Sequence, residues 1–179
     1  TATERVHVAL VHGTEIRAAE LAGGAQASAT LLPALQALLN ECGGEWADVQ
    51  AIAFGAGPGA FTGLRTACSV AQGLSLGIAC PVIPLDTLMI VAEDARLRTP
   101  EAWAVDDVLW VLQDARMGEL YVGAFAWTGE AWRVEEPAAL WPQSEPAVRW
   151  ADPGARLGLR LAGNALTACA EVLAPDRKS

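Results

Sequence analysis

Apolar and polar residues alternate with period two over Arg5–Val11, which puts Val6, Val8 and Leu10 on one face and predicts a strand. Gly13-Thr14 reads as a turn, and Glu15–Leu21 as the second strand of a hairpin. Gly23–Gln26 reads as a loop. Beyond it the period lengthens. Leu31, Leu35, Leu38 and Leu39 form a helical stripe, with Ser28 or Thr30 as N-cap, Pro33 in the first turn, an end near Cys42 and a stop at Gly43-Gly44. Val49–Phe54 is a short apolar run, as a buried strand requires, and leads into a glycine-rich turn and a helix over about Leu64–Leu76. On that helix Gly63, Ala67, Ala71 and Ser75 recur every fourth residue, a small-residue face that permits close packing.

Pro81–Pro84 predicts another strand, with Asp86 or Thr87 capping a helix through about Ala95. After a Pro-containing connection, Arg96–Asp107, the runs Val108–Gln113 and Leu120–Trp127 predict a hairpin turning through Asp114–Gly118. Trp132–Glu135 continues the meander, and the Pro- and Trp-rich stretch Glu136–Pro153 reads as irregular. Leu157–Ala162 reads as a strand that passes through Gly163-Asn164 into a helix, Ala165–Leu173. Hairpins combined with strand–helix units define an α/β protein with mixed sheets.

The chain has 179 residues, 53% hydrophobic and 18% charged, enough for a core and unlike a disordered segment. It has no apolar run of the roughly 18 residues that a membrane span needs and no signal-peptide pattern at its start, so a soluble cytoplasmic protein with no membrane role is expected. The net charge of −9 repels phosphate backbones, so contact with nucleic acid is expected only through a partner. Cys42, Cys68, Cys80 and Cys169 form no Cys-x-x-Cys pair, and Cys68 and Cys80 are expected to be buried thiols. His7 and His12 fall on opposite faces of one strand, so no metal site is expected. The seven Trp are expected in the core or at an interface.

The candidate chemistry lies in Gly57-Pro58-Gly59-Ala60-Phe61-Thr62-Gly63-Leu64-Arg65. A glycine-rich passage from a strand into a helix N-terminus exposes backbone N–H groups to a phosphate or carboxylate, with Thr62 as a cap and Arg65 in the first turn. Equally, the glycines serve a tight turn that needs positive φ. The run is not a Walker A loop, because no Gly-Lys-Ser/Thr follows. At Asp114, Arg116 and Gly118 two readings also stand: a turn that positions a partner or nucleotide, or a turn Asp accepting backbone N–H bonds beside an Arg in a local ion pair.

These nine residues resemble the hallmark of the TsaB (YeaZ) family, Gly-Pro-Gly-Ser-Phe-Thr-Gly-Leu-Arg, with Ala60 in place of the Ser. Thr1-Ala2-Thr3, Leu31-Leu32-Pro33, Val70-Ala71-Gln72-Gly73-Leu74 and Asp114-Ala115-Arg116-Met117-Gly118-Glu119-Leu120-Tyr121 resemble further family segments in the same order, so the likeness covers roughly Thr1 to Gly163. Ala27-Ser28-Ala29 departs from the family's His-Ser-Glu. The family's first-strand Asp would precede residue 1, so an incomplete first strand and a short C-terminal tail are expected.

The resemblance implies an actin-like ATPase fold of two βββαβα-type lobes, here residues 1–95 and 96–179. It implies a non-catalytic partner that binds and activates TsaD, together with TsaE, in making N6-threonylcarbamoyladenosine in ANN-decoding tRNAs. No cofactor is expected on the chain alone; ATP/Mg and threonylcarbamoyl-adenylate are used by the complex. TsaD's metal-binding His pair is not matched, since no His-x-x-x-His occurs. The implied interface, shared with a homodimer, uses Leu31, Leu35, Ala67, Ala71 and Leu74, and there Ala71→Arg would block TsaD without unfolding the chain. Three other readings compete. An actin-like ATPase or phosphotransferase needs acidic Mg²⁺ ligands at two glycine-rich turns, and a peptidase needs a Ser/His/Asp or His-Glu-x-x-His arrangement, which this sequence lacks. The third is an interaction module with another partner.

Overall fold

The computed structural model describes residues 5–23, 27–152, 154 and 158–168. Two compact units divide the chain between Thr87 and Leu88.

The first unit opens with β1 (Arg5–His12) and β2 (Glu15–Ala22), an antiparallel hairpin that pairs Val6 with Leu21 and Val8 with Ala19. Their alternation sends Val6 and Val8 inward, against Leu31 and Leu38 of α1 (Ala27–Glu41). The predicted loop over 24–26 lies outside the described residues. Helix α1 starts earlier than the caps predict. Ser28 and Thr30 are therefore helical, Thr30 Oγ1 donates back to the Ala27 carbonyl (3.5 Å), and Pro33 falls in the second turn. The helix ends as predicted. Gly43 takes φ +66°, its N–H reaches Asn40 O (3.0 Å), and Gly44 N–H reaches Leu39 O (3.0 Å), the paired bonds of a Schellman stop.

A 3-10 turn at Trp46–Asp48 precedes β3 (Ile52–Gly57), which starts three residues later than the apolar run because Val49 closes that turn. Then α2 (Phe61–Ile78) crosses over to β4 (Val82–Asp86), parallel to β3.

The second unit carries a four-stranded sheet in the order β7-β6-β5-β8. Strands β5 (Val108–Arg116), β6 (Glu119–Trp127) and β7 (Trp132–Pro142) form an antiparallel meander, and β8 (Arg160–Ala162) runs parallel to β5. Both faces of the sheet are covered. Leu109, Val111 and Phe125 pack with Leu88 and Ala92 of α3 (Thr87–Arg98). Leu112, Leu120 and Val122 pack with Trp150, which follows α4 (Glu145–Arg149), and with Ala165 of α5 (Ala165–Ala168).

Several boundaries correct the sequence reading. The compact units meet at 87/88, with Leu88 and Ala92 of α3 in the second core, whereas the expected lobes meet after residue 95. Much of the stretch read as irregular is strand β7. It is the sheet's edge, where Pro137 needs no ladder hydrogen bond, and its register shifts opposite Val122–Ala124. Six Trp rings form two clusters, Trp103–Trp132–Trp127 and Trp110–Trp141–Trp150, with centroids 5.3–6.2 Å apart. Cys80 is buried as expected, whereas Cys68 is half-buried because the α2 face that carries it is only partly covered. Residue 157, the predicted start of the last strand, and 169–173, the end of the last helix, lie outside the described residues, as does Cys169.

Candidate functional site

Strand β3 ends at Gly57, which takes φ +113° and pairs with Asp86 across a bulge in the β3–β4 ladder. The Gly57–Pro58 peptide is cis. Helix α2 begins three residues earlier than predicted, with Ala60 as a cap that offers no side-chain hydrogen bond. Thr62 is thus inside the first turn rather than capping it, and its carbonyl accepts from Thr66 Oγ1 (3.0 Å).

Thr87 clamps the turn from the start of α3. Its hydroxyl donates to the Pro58 carbonyl, and its Cγ2 would lie 2.9 Å from any Cβ at Gly55. A Cβ at Gly57 would stand 3.2 Å from Leu64 Cδ1. Glycine is therefore required at 55 by close approach and at 57 by backbone conformation as well. Beyond the clamp, Phe61 is 65% exposed and Arg65 lays its guanidinium over the ring, 4.0 Å from the centroid. The motif brings Gly57, Pro58, Gly59, Gly63 and Leu64 together as a shaped turn with Phe61 and Arg65 outward. Sequence reasoning missed Thr87's part, since 29 residues separate it from Pro58 and no local pattern links them.

The expected interface residues divide. Leu31 and Ala71 are buried in the unit's own interior, at 6% and 2% exposure, and Leu35, Ala67 and Leu74 are half-buried. Leu32 (42% exposed), Leu76 (88%) and the Phe61 already described are the large apolar side chains that α1 and α2 present outward.

In the second unit, Asp114 Oδ1 accepts the Arg116 N–H (2.8 Å), which holds Arg116, Met117 and Gly118 at positive φ in a tight turn. The Asp114 N–H donates to Asn164 Oδ1 (2.8 Å). No ion pair joins Arg116 to a carboxylate among the described residues, so the local pair expected there is not formed. Sequence reasoning also missed a cleft of about 360 Å³ beside Gln113 and Asn164, floored by Val91, Ala95 and Ala162. At its rim Arg98 pairs with Asp94 (2.8 Å). Nearby, Glu93 accepts both Arg96 Nε (2.8 Å) and Nη2 (2.7 Å), and Trp132 Nε1 (2.9 Å). The Arg96 hydrogen bonds hold the Glu93 carboxyl below its ordinary range, with partial burial opposing and the Trp132 bond assisting.

His7 lies 3.8 Å from Glu20, and the described residues contain no group of three or more His, Cys, Asp or Glu placed to hold a metal ion. No helix among them is long and apolar enough to cross a membrane.

Residues 23–140 match the family model described as TsaD, tRNA N6-adenosine threonylcarbamoyltransferase. The tRNA threonylcarbamoyladenosine biosynthesis protein TsaB of Escherichia coli is 36% identical over 151 residues, which are 80% of this chain and 61% of that protein. The Haemophilus influenzae protein of the same name is 38% identical over 122 residues, 68% of this chain and 49% of that one. YeaZ from Pseudomonas aeruginosa superposes with a TM-score of 0.73 at 34% identity, covering 86% of this chain and 69% of that one. A Pseudomonas aeruginosa protein described as similar to peptidase YEAZ gives 0.74 at 35%, covering 84% and 67%. The chain belongs to this threonylcarbamoyltransferase family, in its TsaB (YeaZ) group. It spans about half to three fifths of the length of these curated relatives.

Proposed function

We propose that the chain serves the synthesis of N6-threonylcarbamoyladenosine in ANN-decoding tRNAs as a non-catalytic partner that binds and activates TsaD, in the cytoplasm and together with TsaE. The reading includes an actin-like fold of two lobes. ATP/Mg and threonylcarbamoyl-adenylate are handled by the complex, and tRNA is met through the partner. The relatives' names support the pathway.

The observation that carries the scaffold reading is the state of the glycine-rich turn. The Pro58 carbonyl is tied to Thr87, and Phe61 and Arg65 are stacked at the surface. Such a segment keeps one shape and presents it to a neighbour. We assign the TsaD-binding surface, used also by a homodimer, to α1 and α2. Leu35, Ala67 and Leu74 contribute their partly open sides, and Leu32 and Leu76 extend it.

Co-purification with TsaD and TsaE of the same organism tests this, alongside ATP hydrolysis by the chain alone. Co-elution with TsaD and no turnover by the isolated chain are expected. No complex, or turnover by the chain alone, contradicts the scaffold role and favours an actin-like enzyme.

A further inference from the structure

Among the described residues of its first unit, the strongly acidic chain leaves one guanidinium uncompensated. There Arg5 pairs with Glu20, and Arg17 with Glu15 (3.6 Å). Arg65 has no carboxylate partner and no side-chain hydrogen bond among the described residues. It is exposed, and it lies 4.0 Å above the ring of Phe61, itself 65% exposed. A Phe side chain left in water forgoes the gain of burial, and an unpaired Arg beside it forgoes a charge-assisted contact. Stacking engages the face of a guanidinium and leaves its edge N–H groups available to a carboxylate in bidentate geometry. Aromatic and Arg side chains side by side on a rigid element are the composition of interface anchors.

We propose that Phe61 and Arg65 anchor a partner protein, with Arg65 seated on an acidic residue of the partner and Phe61 in an apolar hollow beside it. This rests on the reading of the chain as a partner subunit and adds the chemistry of the surface it meets. A protein carboxylate fits better than a nucleic acid. The net charge of −9 opposes a polyanion, and one guanidinium beside an open phenyl ring makes a point contact rather than a track for a phosphate backbone.

The test is the affinity of the chain for TsaD of the same organism, measured by calorimetry at low and high salt. Arg65→Glu and Phe61→Ala are expected to weaken binding about 30-fold or more each, with Arg65→Lys between them and the wild type. The wild-type affinity falls as salt rises, and Arg65→Ala flattens that dependence. Both positions are exposed, so the melting temperatures stay at the wild-type value. Wild-type affinity in Arg65→Glu and Phe61→Ala overturns the proposal and leaves the partner reading standing. An equal loss in Arg17→Ala overturns it too, by marking a diffuse charge effect. Loss of tRNA affinity in Arg65→Glu with TsaD affinity unchanged overturns it in favour of a phosphate contact. Absence of any wild-type complex overturns both readings together.

Discussion

Gly163 leaves the end of β8 at φ +118°, and a Cβ built there would stand 1.9 Å from the Leu112 carbonyl oxygen. The obstacle is backbone in the central part of a packed sheet, so it cannot swing aside. Gly163→Ala is expected to cost about 3 kcal/mol or more, from backbone strain and overpacking combined. Its urea midpoint falls with an unchanged slope; an unchanged midpoint would show that β8 does not press on β5. A second residue-scale prediction concerns Glu93. The Arg96 hydrogen bonds lower its folded pKa, so the carboxylate contributes stability above the ordinary glutamate range, and that contribution is lost as pH falls through the lowered value. Glu93→Gln therefore melts below the wild type at neutral pH, and the gap closes in acid. A gap that is constant with pH would contradict the assignment. At this scale the sequence was partly legible. The glycines at 57 and 63 and Arg65 are conspicuous in one run, whereas Thr87 and Glu93 act on Pro58 and Trp132, 29 and 39 residues away, and no local period records such contacts.

The elements were legible wherever one face of a helix or strand meets a core. The period of two in β1 and the stripe in α1 both come from burial against the same cluster, Val6, Val8, Leu31 and Leu38. The part of β7 from Glu136 on escaped because the strand is an edge with Glu135, Glu136 and Pro137 in its middle, so no alternation continues past Glu135. The small-residue stripe on α2 was legible as close packing. Its partner was not, because periodicity reveals that a face is covered but not by what. Ala71 is 2% exposed, so Ala71→Arg is now expected to unfold the first unit rather than only block a partner, since a buried unpaired charge costs several kcal/mol. A folded Ala71→Arg chain that melts like the wild type would contradict that packing. The Trp110–Trp141–Trp150 cluster makes a matching prediction in the second unit. Trp150 is 5% exposed, and Trp150→Ala is expected to cost about 3–5 kcal/mol in denaturant melts. A loss below about 1 kcal/mol would place the ring outside the core.

For the whole molecule, the chain is two units, the first with one hydrophobic cluster and the second with two, and α3 from Leu88 on belongs to the second. The family match over residues 23–140 is to a threonylcarbamoyltransferase model, and the account proposed for this chain is that of a partner subunit in tRNA threonylcarbamoylation. Threonylcarbamoylation of an ANN-decoding tRNA, reconstituted from TsaD, TsaE, threonylcarbamoyl-adenylate and ATP/Mg with and without this chain, tests that account most directly. It predicts modification that depends on the chain and is lost on its omission. Equal modification without the chain would contradict it.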